Sequence, residues 1–285
     1  MSISSSHVNR SVTGSSKFAT DHIVETHLLH WLDGARRPLV LGLCGAQGSG
    51  KSTLAHHLVR RLNARGIPAA NLSIDDLYLS HTARARLAET IHPLLATRGV
   101  PGTHNVGLGL KILSALKDRH SVCLPRFDKA SDDPAPKNTW PEVGLLDVLI
   151  FEGWCVGAVA QESAALDEPV NALETEHDAD GIWRAYVNTQ LEGPYAKLFE
   201  RLDRLVLLEA PGFEVVQAWR TQQEHSLASL VRRQGLKGAR VMTDKEVARF
   251  IQHYERLTRH ILCEMPARAD LTLRLDAQRN CLTSS

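Results

Sequence analysis

LVLGLCGAQGSGKSTLAHHLVRRL, residues 39–62, is the stretch that decides the fold. It opens with an unbroken apolar run, which is typical of a parallel strand that is buried on both faces of a sheet. A glycine-rich turn follows, and after it Leu54, Leu58 and Leu62 recur on one stripe of a predicted helix. The stretch therefore predicts a buried strand, a tight turn and an amphipathic helix in immediate succession.

The turn itself reads GAQGSGKS, residues 45–52, and matches the pattern G-x-x-x-x-G-K-S/T at every position. Its glycines let the backbone curl until successive N–H groups point at phosphate oxygens, and the following helix adds its positive N-terminal end. In this pattern the lysine reaches the β- and γ-phosphates, and the hydroxyl after it binds a metal ion. ATP and Mg²⁺ are therefore the expected cofactors, with Ser52 as a metal ligand. The predicted nucleotide-binding residues are Gly45, Ala46, Gln47, Gly48, Ser49, Gly50, Lys51, Ser52 and Thr53.

The composition bounds the size and the partners of the protein. Its 285 residues suffice for one large α/β domain or two small ones, and 43% hydrophobic residues can form a full core. Lys and Arg total 33 against 32 Asp and Glu, so the net charge is close to zero. This balance argues against nucleic acid or a membrane as a partner held by bulk charge, but it allows a local basic pocket for a small anion.

The cysteines and the first residues indicate the compartment. The five cysteines are odd in number and none are paired at CxxC spacing, so neither a disulfide framework nor a zinc site is expected. Residues 1–17 are serine-rich without an apolar run, which predicts a disordered tail rather than a signal peptide. The longest apolar runs are too short to span a bilayer. Together these features predict a cytoplasmic protein.

Strands and helices alternate along most of the chain. Further strands are predicted in residues 68–75, 120–127, 145–153, 203–210 and 270–277, and further helices in residues 21–34, 108–119, 213–234 and 243–262. Such alternation implies right-handed crossovers and a mostly parallel sheet with helices on both faces. The predicted fold class is α/β, of the P-loop NTPase type found in nucleoside and nucleotide kinases, with a helical lid. Residues 18–285 are expected to form a single P-loop domain, with insertions near residues 80–105, 126–142 and 160–235.

A carboxylate ends the strand that is predicted beside the phosphate loop. Glu152 lies at the carboxyl end of VLIFEGW, residues 148–154, which is where a second contact to Mg²⁺ belongs in a parallel sheet. Asp147 opens the same strand at the far end of the sheet, so it is interpreted as structural. The predicted metal ligands are therefore Ser52 and Glu152.

A second acidic site follows the next predicted strand, in SIDDLYL, residues 73–79. Asp75 lies just past this strand, where its carboxylate can accept or orient the proton of an attacking hydroxyl. Asp76 is the competing candidate, and local turn chemistry alone also explains a pair of aspartates. Asp75 is the preferred catalytic residue.

Three further stretches favour a bound acceptor over simple ATP hydrolysis. They are ATRGVPGTHN with Arg98 and His104, LPRFDKA with Arg126, Asp128 and Lys129, and QAWRTQQE with Trp219, Arg220 and Gln223. Arg220 and Gln223 are three positions apart on a predicted helix and so are neighbours on its surface. Taken singly, each arginine is explained as well by an ordinary solvated side chain.

A larger set of motifs runs through residues 35–275 in a consistent order: GAQGSGKST, SIDDLYL, RGVPGTH, PRFDKA, TWPEV, FEGWCVG, WRAYVNTQL, WRTQQE and MTDKEVARFIQHY. This set resembles the P-loop D-glycerate 3-kinases. They form a branch of the small-molecule kinases that includes uridine kinase, phosphoribulokinase and pantothenate kinase. RGVPGTH, PRFDKA and FEGW in combination are much more specific than the phosphate loop alone.

The resemblance implies ATP-dependent phosphorylation of D-glycerate to 3-phosphoglycerate. Lys51, Asp75 and Arg220 would form the catalytic set, with Asp75 as the base and Arg220 as a lid arginine that meets the phosphates on closure. The implied acceptor pocket consists of Arg98, His104, Arg126 and Lys129. A glycerate carboxylate needs a cation, and the forked guanidinium of arginine meets that need best. Closure of the helical segment near residues 184–235 is expected to expel water.

The chain departs from the family pattern at two places. Residues 130–140 read ASDDPAPKNTW where the family usually has a glycine- and arginine-rich run. Asn105 stands where an aspartate usually follows the GTH or GSH motif. Both departures lie beside the predicted acceptor pocket, so they bear on acceptor identity.

Two rival functions stay open at this point. One keeps the kinase and changes the acceptor to another hydroxy acid, a nucleoside or a pantothenate-like alcohol. Aromatic residues make up only 5% of the chain, which weakens the nucleoside version, although Trp140, Trp154 and Trp183 are available for stacking. The other rival is a nucleotide-gated binding protein. Its docking site would be the acidic stretch of residues 171–180, which is otherwise interpreted as a solvated loop.

Overall fold

The computed structural model describes residues 17–234 and 241–285. Its strands are β1 (Leu39–Gly45), β2 (Ala69–Ser73), β3 (Val122–Cys123), β4 (Phe127–Asp128), β5 (Asp133–Pro134), β6 (Glu142–Val143), β7 (Val148–Gly153), β8 (Arg204–Glu209), β9 (Leu271–Leu275) and β10 (Cys281–Ser284). Its α-helices are α1 (Lys17–Leu32), α2 (Lys51–Ala64), α3 (His81–Thr90), α4 (Val106–Lys117), α5 (Ala172–His177), α6 (Ile182–Gln190), α7 (Ala196–Phe199), α8 (Phe213–Gln234) and α9 (Asp244–Glu264). The tail predicted for residues 1–17 lies outside the described residues, except for Lys17, where α1 begins.

The main sheet has the strand order β10-β9-β8-β1-β7-β2. Its strands run parallel from β2 to β9, and β10 alone pairs antiparallel, with β9. The predicted fold class, an α/β fold with a mostly parallel sheet, is therefore confirmed. Glu152 on β7 stands in register with Leu43 on β1 and with Ser73 on β2. The carboxyl ends of these strands consequently meet at one edge of the sheet, where ligands bind in folds of this kind.

Both faces of the sheet are covered. Every residue of β1 and of β7 is buried, which is possible only if helices or loops pack on each face. α2 packs against β1, β2 and β7, and α1 packs against α2. One continuous apolar cluster joins the sheet to these helices and to α4, α8 and α9. Within the described residues, no helix combines the length and the apolar character needed to cross a bilayer.

The acidic stretch of residues 171–180 differs from both interpretations of its sequence. It forms α5, and Glu174 and Asp178 are fully buried. Glu174 receives a two-pronged ion pair from Arg256 on α9, at 2.9 and 2.6 Å, and Asp178 pairs with Arg184 on α6 at 3.0 Å. A solvated docking loop would expose these carboxylates, so the stretch is part of the internal framework. The acidic composition did not reveal that Glu174 is buried, because its partner, Arg256, lies 82 positions away in the sequence.

The strand predicted in residues 120–127 is interrupted. Pro125 lies between two-residue strands, β3 and β4, which pair antiparallel with β6 and β5 rather than with the main sheet. Proline has no backbone N–H to donate to a ladder, so a longer strand cannot pass through it. The β4–β5 hairpin carries the PRFDKA motif to the edge of the sheet where β2 ends, because β4 contacts the turn that follows β2.

Candidate active site

The phosphate loop, residues 45–52, has the backbone that its glycines predict. Gly48 and Gly50 adopt left-handed φ angles of 81° and 93°, which residues other than glycine rarely adopt. At Gly48 a Cβ atom would also lie 2.6 Å from the Cβ of Trp219 on α8. The loop therefore turns tightly between β1 and α2 and lies directly against α8, with the N-terminus of α2 facing the turn.

The two predicted metal ligands contact each other. The hydroxyl of Ser52 donates to Oε1 of Glu152 at 2.9 Å, and Glu152 is only 3% exposed. Its second oxygen, Oε2, is buried and has no hydrogen-bond partner among the described residues. A buried carboxylate with a spare oxygen beside a hydroxyl is a suitable donor set for a hard, oxygen-preferring cation. Ser52 and Glu152 therefore fit Mg²⁺.

A cavity of about 700 Å³ opens beside the phosphate loop and extends towards α1 and α8. Its lining includes Gly50, Thr53, Asp21, Arg220, Gln223 and Arg279. Arg220, the predicted lid arginine, forms an ion pair with Glu224 one helical turn away, and its guanidinium lies 5.8 Å from the centre of the Phe250 ring. The helix thus presents Arg220 and Gln223 to the cavity while Trp219 packs inward.

Arg279 is a cavity residue that the sequence analysis missed. It follows β9 in a left-handed conformation, donates to the carbonyl oxygen of Gly48, and lies 5.1 Å from the centre of the Trp219 ring. Burial lowers the pKa of its guanidinium. No motif marks this arginine, because only the β9–β10 turn brings it back onto the phosphate loop.

Asp75 lies at the carboxyl end of β2, in a 3₁₀ turn, Ile74–Leu77, that begins directly after the strand. One carboxylate oxygen accepts from the hydroxyl of Tyr78 at 2.7 Å, and the other accepts from Nζ of Lys129 at 2.8 Å. Burial alone would raise the pKa of Asp75, but the charge and hydrogen bond of Lys129, with help from Tyr78 and Lys51, lower it to about 2. Asp75 is therefore an anion held between two donors.

Asp76, the competing candidate, has a different environment. Its oxygens accept from the guanidinium of Arg126 at 3.2 Å and from the backbone N–H of Phe127 at 3.1 Å. Burial raises its pKa, and the hydrogen bond from Phe127 and the charge of Arg126 oppose that rise. Asp76 thus attaches the β4–β5 hairpin to the turn after β2, which leaves Asp75 as the carboxylate that faces Lys129.

The predicted acceptor cations gather around this turn, and each pairs with a carboxylate. Arg126 pairs with Asp76 and Lys129 with Asp75, while Arg98 forms a close ion pair with Asp132. The Arg98 guanidinium also lies 5.6 Å from the centre of the Phe127 ring, which in turn meets Tyr78 edge-on. These three cations, which come from two separate motifs, therefore lie around the turn that carries Asp75 and Asp76.

Asp132 is a second residue that the sequence analysis missed. It lies in the segment that departs from the family pattern, with a left-handed φ of 58° in the β4–β5 turn. Its other oxygen accepts from the buried Arg84 at 2.7 Å, and Arg84 also donates to the carbonyl oxygens of Leu79 and Ala96. Asp132 therefore connects Arg98 to the buried Arg84, which is itself held by backbone carbonyl oxygens.

His104 is a second ring that contacts Tyr78. Its ring stacks on the Tyr78 ring at 4.6 Å, and Nδ1 lies 2.5 Å from the hydroxyl oxygen of Tyr195. Burial lowers the pKa of His104 to about 4, despite the opposing charge of Asp75. The imidazole is therefore neutral at physiological pH and adjoins Asp75 through Tyr78.

The tryptophans that were considered for base stacking are mostly in the core. Trp154 is 3% exposed, and its indole N–H donates to the carbonyl oxygen of Gly99 at 2.9 Å. Trp183 is equally buried, in a small apolar cluster with Leu95 and Val100. The expectation that these two rings are available to a nucleoside is therefore wrong, and only Trp140 is partly exposed.

Comparison with known proteins shows which family this chain belongs to. The chain is 34% identical over 229 residues to the uncharacterized kinase mug58 of Schizosaccharomyces pombe, an alignment that covers 76% of this chain and 79% of that protein. It is 30% identical over 262 residues to the chloroplastic D-glycerate 3-kinase of Arabidopsis thaliana, covering 85% of this chain and about half, 54%, of the plant protein. The chain belongs to the P-loop D-glycerate 3-kinase family. No family model matches the sequence.

The fold of this P-loop kinase agrees with the sequence comparison. The solved D-glycerate 3-kinase of Cryptococcus neoformans superposes with a TM-score of 0.77 at 25% identity, covering 94% of this chain and 99% of that one. The similarity therefore extends over nearly the whole length of both chains. The protein is thus an ATP-dependent kinase, and the residues described above form its candidate active site.

Proposed function

We propose that this kinase transfers the γ-phosphoryl group of ATP to the 3-hydroxyl of D-glycerate, giving ADP and 3-phosphoglycerate. The observation that carries the proposal is the position of Asp75. It is an ionised carboxylate at the carboxyl end of β2, held by Lys129 and Tyr78 and close enough to Lys51 for that charge to lower its pKa. A hydroxyl that binds there would lie between the carboxylate and the phosphate loop.

The cations around Asp75 support an organic acid as the acceptor. Arg98 donates to Asp132 from its guanidinium nitrogen Nη1, and Arg126 donates to Asp76 from the same nitrogen. A guanidinium has five N–H donors, so both arginines can still donate to a second carboxylate. Glycerate carries one carboxylate and two hydroxyls, which matches a pocket that combines arginine forks with one oriented acceptor.

In this mechanism Asp75 orients the 3-hydroxyl and receives its proton. Each carboxylate oxygen accepts one hydrogen bond in the structure and retains a lone pair for the substrate. The new bond joins the 3-oxygen to the γ-phosphorus, and the bond from that phosphorus to the β–γ bridging oxygen breaks. Because phosphoryl transfer has a loose transition state, positioning matters more than the strength of the base. A carboxylate with a pKa of about 2 is therefore adequate.

Charge on the transferred group is met by several parts of the chain. Lys51 and the backbone N–H groups of the phosphate loop would bind the β- and γ-phosphates, and Arg220 would approach from α8. Bound Mg²⁺ would neutralise charge on the phosphate oxygens, and Ser52 and Glu152 would hold it. Closure of the helical segment near residues 184–235 over the bound substrates would exclude water, so that ATP is not simply hydrolysed.

The test is ADP release measured across a panel of acceptors, with D- and L-glycerate side by side. D-glycerate is expected to stimulate release strongly, and the product is expected to carry phosphate on the 3-oxygen by ³¹P NMR. Asp75→Asn is expected to lower turnover by several orders of magnitude while the unfolding transition is retained. ADP release that is the same with and without every acceptor would contradict a small-molecule kinase and favour a nucleotide-gated binding protein.

A neutral acceptor is the second candidate, and one observation favours it. Arg98, Arg126 and Lys129 are each already paired with a carboxylate of the protein. If those pairs satisfy the cations fully, an uncharged alcohol would bind with less desolvation cost than an acid. The same panel decides this, because it includes a pantothenate-like alcohol amide, a nucleoside and a simple polyol beside the hydroxy acids.

A further inference from the structure

Tyr195 has no place in the sequence motifs, yet it is the residue that holds His104. It lies in a π-helical turn, Leu191–Tyr195, between α6 and α7, and it is fully buried. Its hydroxyl accepts from the backbone N–H of Gly102 at 3.0 Å and lies 2.5 Å from Nδ1 of His104. Single π-helical turns inserted between α-helices are frequent at functional sites.

The protons of this group can be assigned by counting donors and acceptors. The Tyr195 oxygen already accepts one bond, from Gly102, and it carries one proton of its own. If His104 donated from Nδ1, that tyrosine proton would be buried without an acceptor among the described residues. If Tyr195 donates to Nδ1 instead, every group is satisfied. The neutral imidazole then carries its proton on Nε2.

The remaining nitrogen of His104 has no such partner. Nε2 is buried and makes no hydrogen bond to any described residue. Since buried polar groups are normally paired, a lone N–H at this position indicates a donor that a ligand completes. His104 stacks on Tyr78, and Tyr78 donates to Asp75, so this donor adjoins the proposed acceptor pocket.

We propose that Tyr195 is a positioning residue that fixes His104 as the Nε2–H tautomer, so that a neutral imidazole donates a hydrogen bond to an oxygen of the acceptor. The inference rests on the proposed function for the location of the acceptor, but the tautomer itself does not. A neutral donor recognises a hydroxyl or carboxylate oxygen without adding a positive charge beside Asp75. It also keeps its proton across the whole range in which Asp75 is ionised.

The first test reads the tautomer directly and needs no substrate. The protein is labelled with ¹⁵N-histidine, and long-range ¹H–¹⁵N spectra at neutral pH are assigned by comparison with His104→Gln. His104 is expected to show a protonated Nε2 and an unprotonated Nδ1. A protonated Nδ1, or an imidazolium, would overturn the inference even if D-glycerate proves to be the substrate. Conversely, the expected tautomer would stand if glycerate proves not to be the substrate.

The second test uses kinetics with matched variants, on whichever acceptor the panel identifies. Tyr195→Phe removes only the hydroxyl and is expected to raise the KM for the acceptor about tenfold, with a smaller change in kcat and no change in the KM for ATP. Tyr186→Phe is the control, because the Tyr186 ring lies against the same Gly102 without holding His104. An unchanged acceptor KM in folded Tyr195→Phe would overturn the positioning role.

Replacements of His104 distinguish the two nitrogens without depending on Tyr195. Glutamine places an amide N–H near the position of Nε2, whereas the shorter asparagine places one near Nδ1. His104→Gln is expected to keep the acceptor KM within a few-fold of the natural protein, and His104→Asn is expected to raise it about tenfold or more. The opposite order would show that the Nδ1 side contacts the acceptor and would refute the proposal.

Discussion

Replacing Lys129 with methionine should move the pH dependence of the reaction, and the structure gives the size of the shift. Methionine keeps the unbranched apolar part of the side chain and removes its charge and donors. Lys129 is the main cation that opposes burial at Asp75, through both its charge and a 2.8 Å hydrogen bond. Its side chain is mostly exposed, at 62%, so the substitution is not expected to disturb the fold.

The expected magnitude follows from the balance at Asp75. The pKa of an ordinary aspartate is 3.8, and in this site it is lowered to about 2. Without Lys129 the effect of burial is opposed only by Tyr78, Lys51 and more distant charges, so the pKa should return to about 4 or slightly higher. The proposed mechanism needs the ionised carboxylate, so activity is expected to be lost as pH falls through this pKa. The acid limb of the profile should move upward, from about 2 to about 4–5.

The assay is kcat/KM for the acceptor between pH 4 and pH 8, because this quantity reports ionisation in the free enzyme. The natural protein should show no acid limb above about pH 4, whereas Lys129→Met should lose activity visibly below about pH 5. Lys137→Met serves as the control, since Lys137 is an exposed lysine in the same insertion. A Lys129→Met profile that is lower but parallel to the natural one would show that Lys129 does not control the ionisation of Asp75.

Two further substitutions test the framework around the site. Gly48→Ala should weaken ATP binding at least about tenfold, as measured by calorimetry. An added Cβ would lie 2.6 Å from the Cβ of Trp219, and the φ of 81° is left-handed. Unchanged affinity would refute the tight packing of the loop on α8. Glu174→Ala should lower the free energy of unfolding by about 3–5 kcal/mol in denaturant titrations, because it leaves the charge of Arg256 buried and unpaired. Glu176→Ala, at an exposed position of the same helix, should change it by at most about 0.5 kcal/mol, and equal losses would contradict this account.

The sequence predicted the parts of the site that depend on one strand and the loop after it. Asp75 and Glu152 each lie at the carboxyl end of a predicted strand, and a parallel sheet brings the carboxyl ends of adjacent strands together. No long-range contact has to be known for that inference. The phosphate loop is predictable for the same reason, because its geometry is set by glycines within eight residues.

The residues that were missed depend on contacts between distant segments. Asp132 meets Arg98 across 34 positions, Tyr195 meets His104 across 91, and the bond from Arg279 to Gly48 spans 231. Neither periodicity nor spacing reports such pairs. Tyr78 is different, because it lies only three positions after Asp75 and directly follows the 3₁₀ turn, a helix type in which residues at that spacing eclipse each other. Its contact with Asp75 could have been predicted from SIDDLYL once the turn type was known.

If the acceptor is glycerate, as proposed, the charge arrangement of the pocket explains how so small a molecule would be held. A three-carbon acid offers few atoms for contact, so it cannot supply much binding energy to order flexible cations around itself. In this protein the cations are already ordered by ion pairs before an acceptor binds. Asp132 holds Arg98 and is itself held by the buried Arg84, and Asp76 holds Arg126. A carboxylate that adds to such a pair meets an arginine fork whose side-chain entropy is already lost on folding, so the pairing of the cations does not by itself exclude a small anionic acceptor.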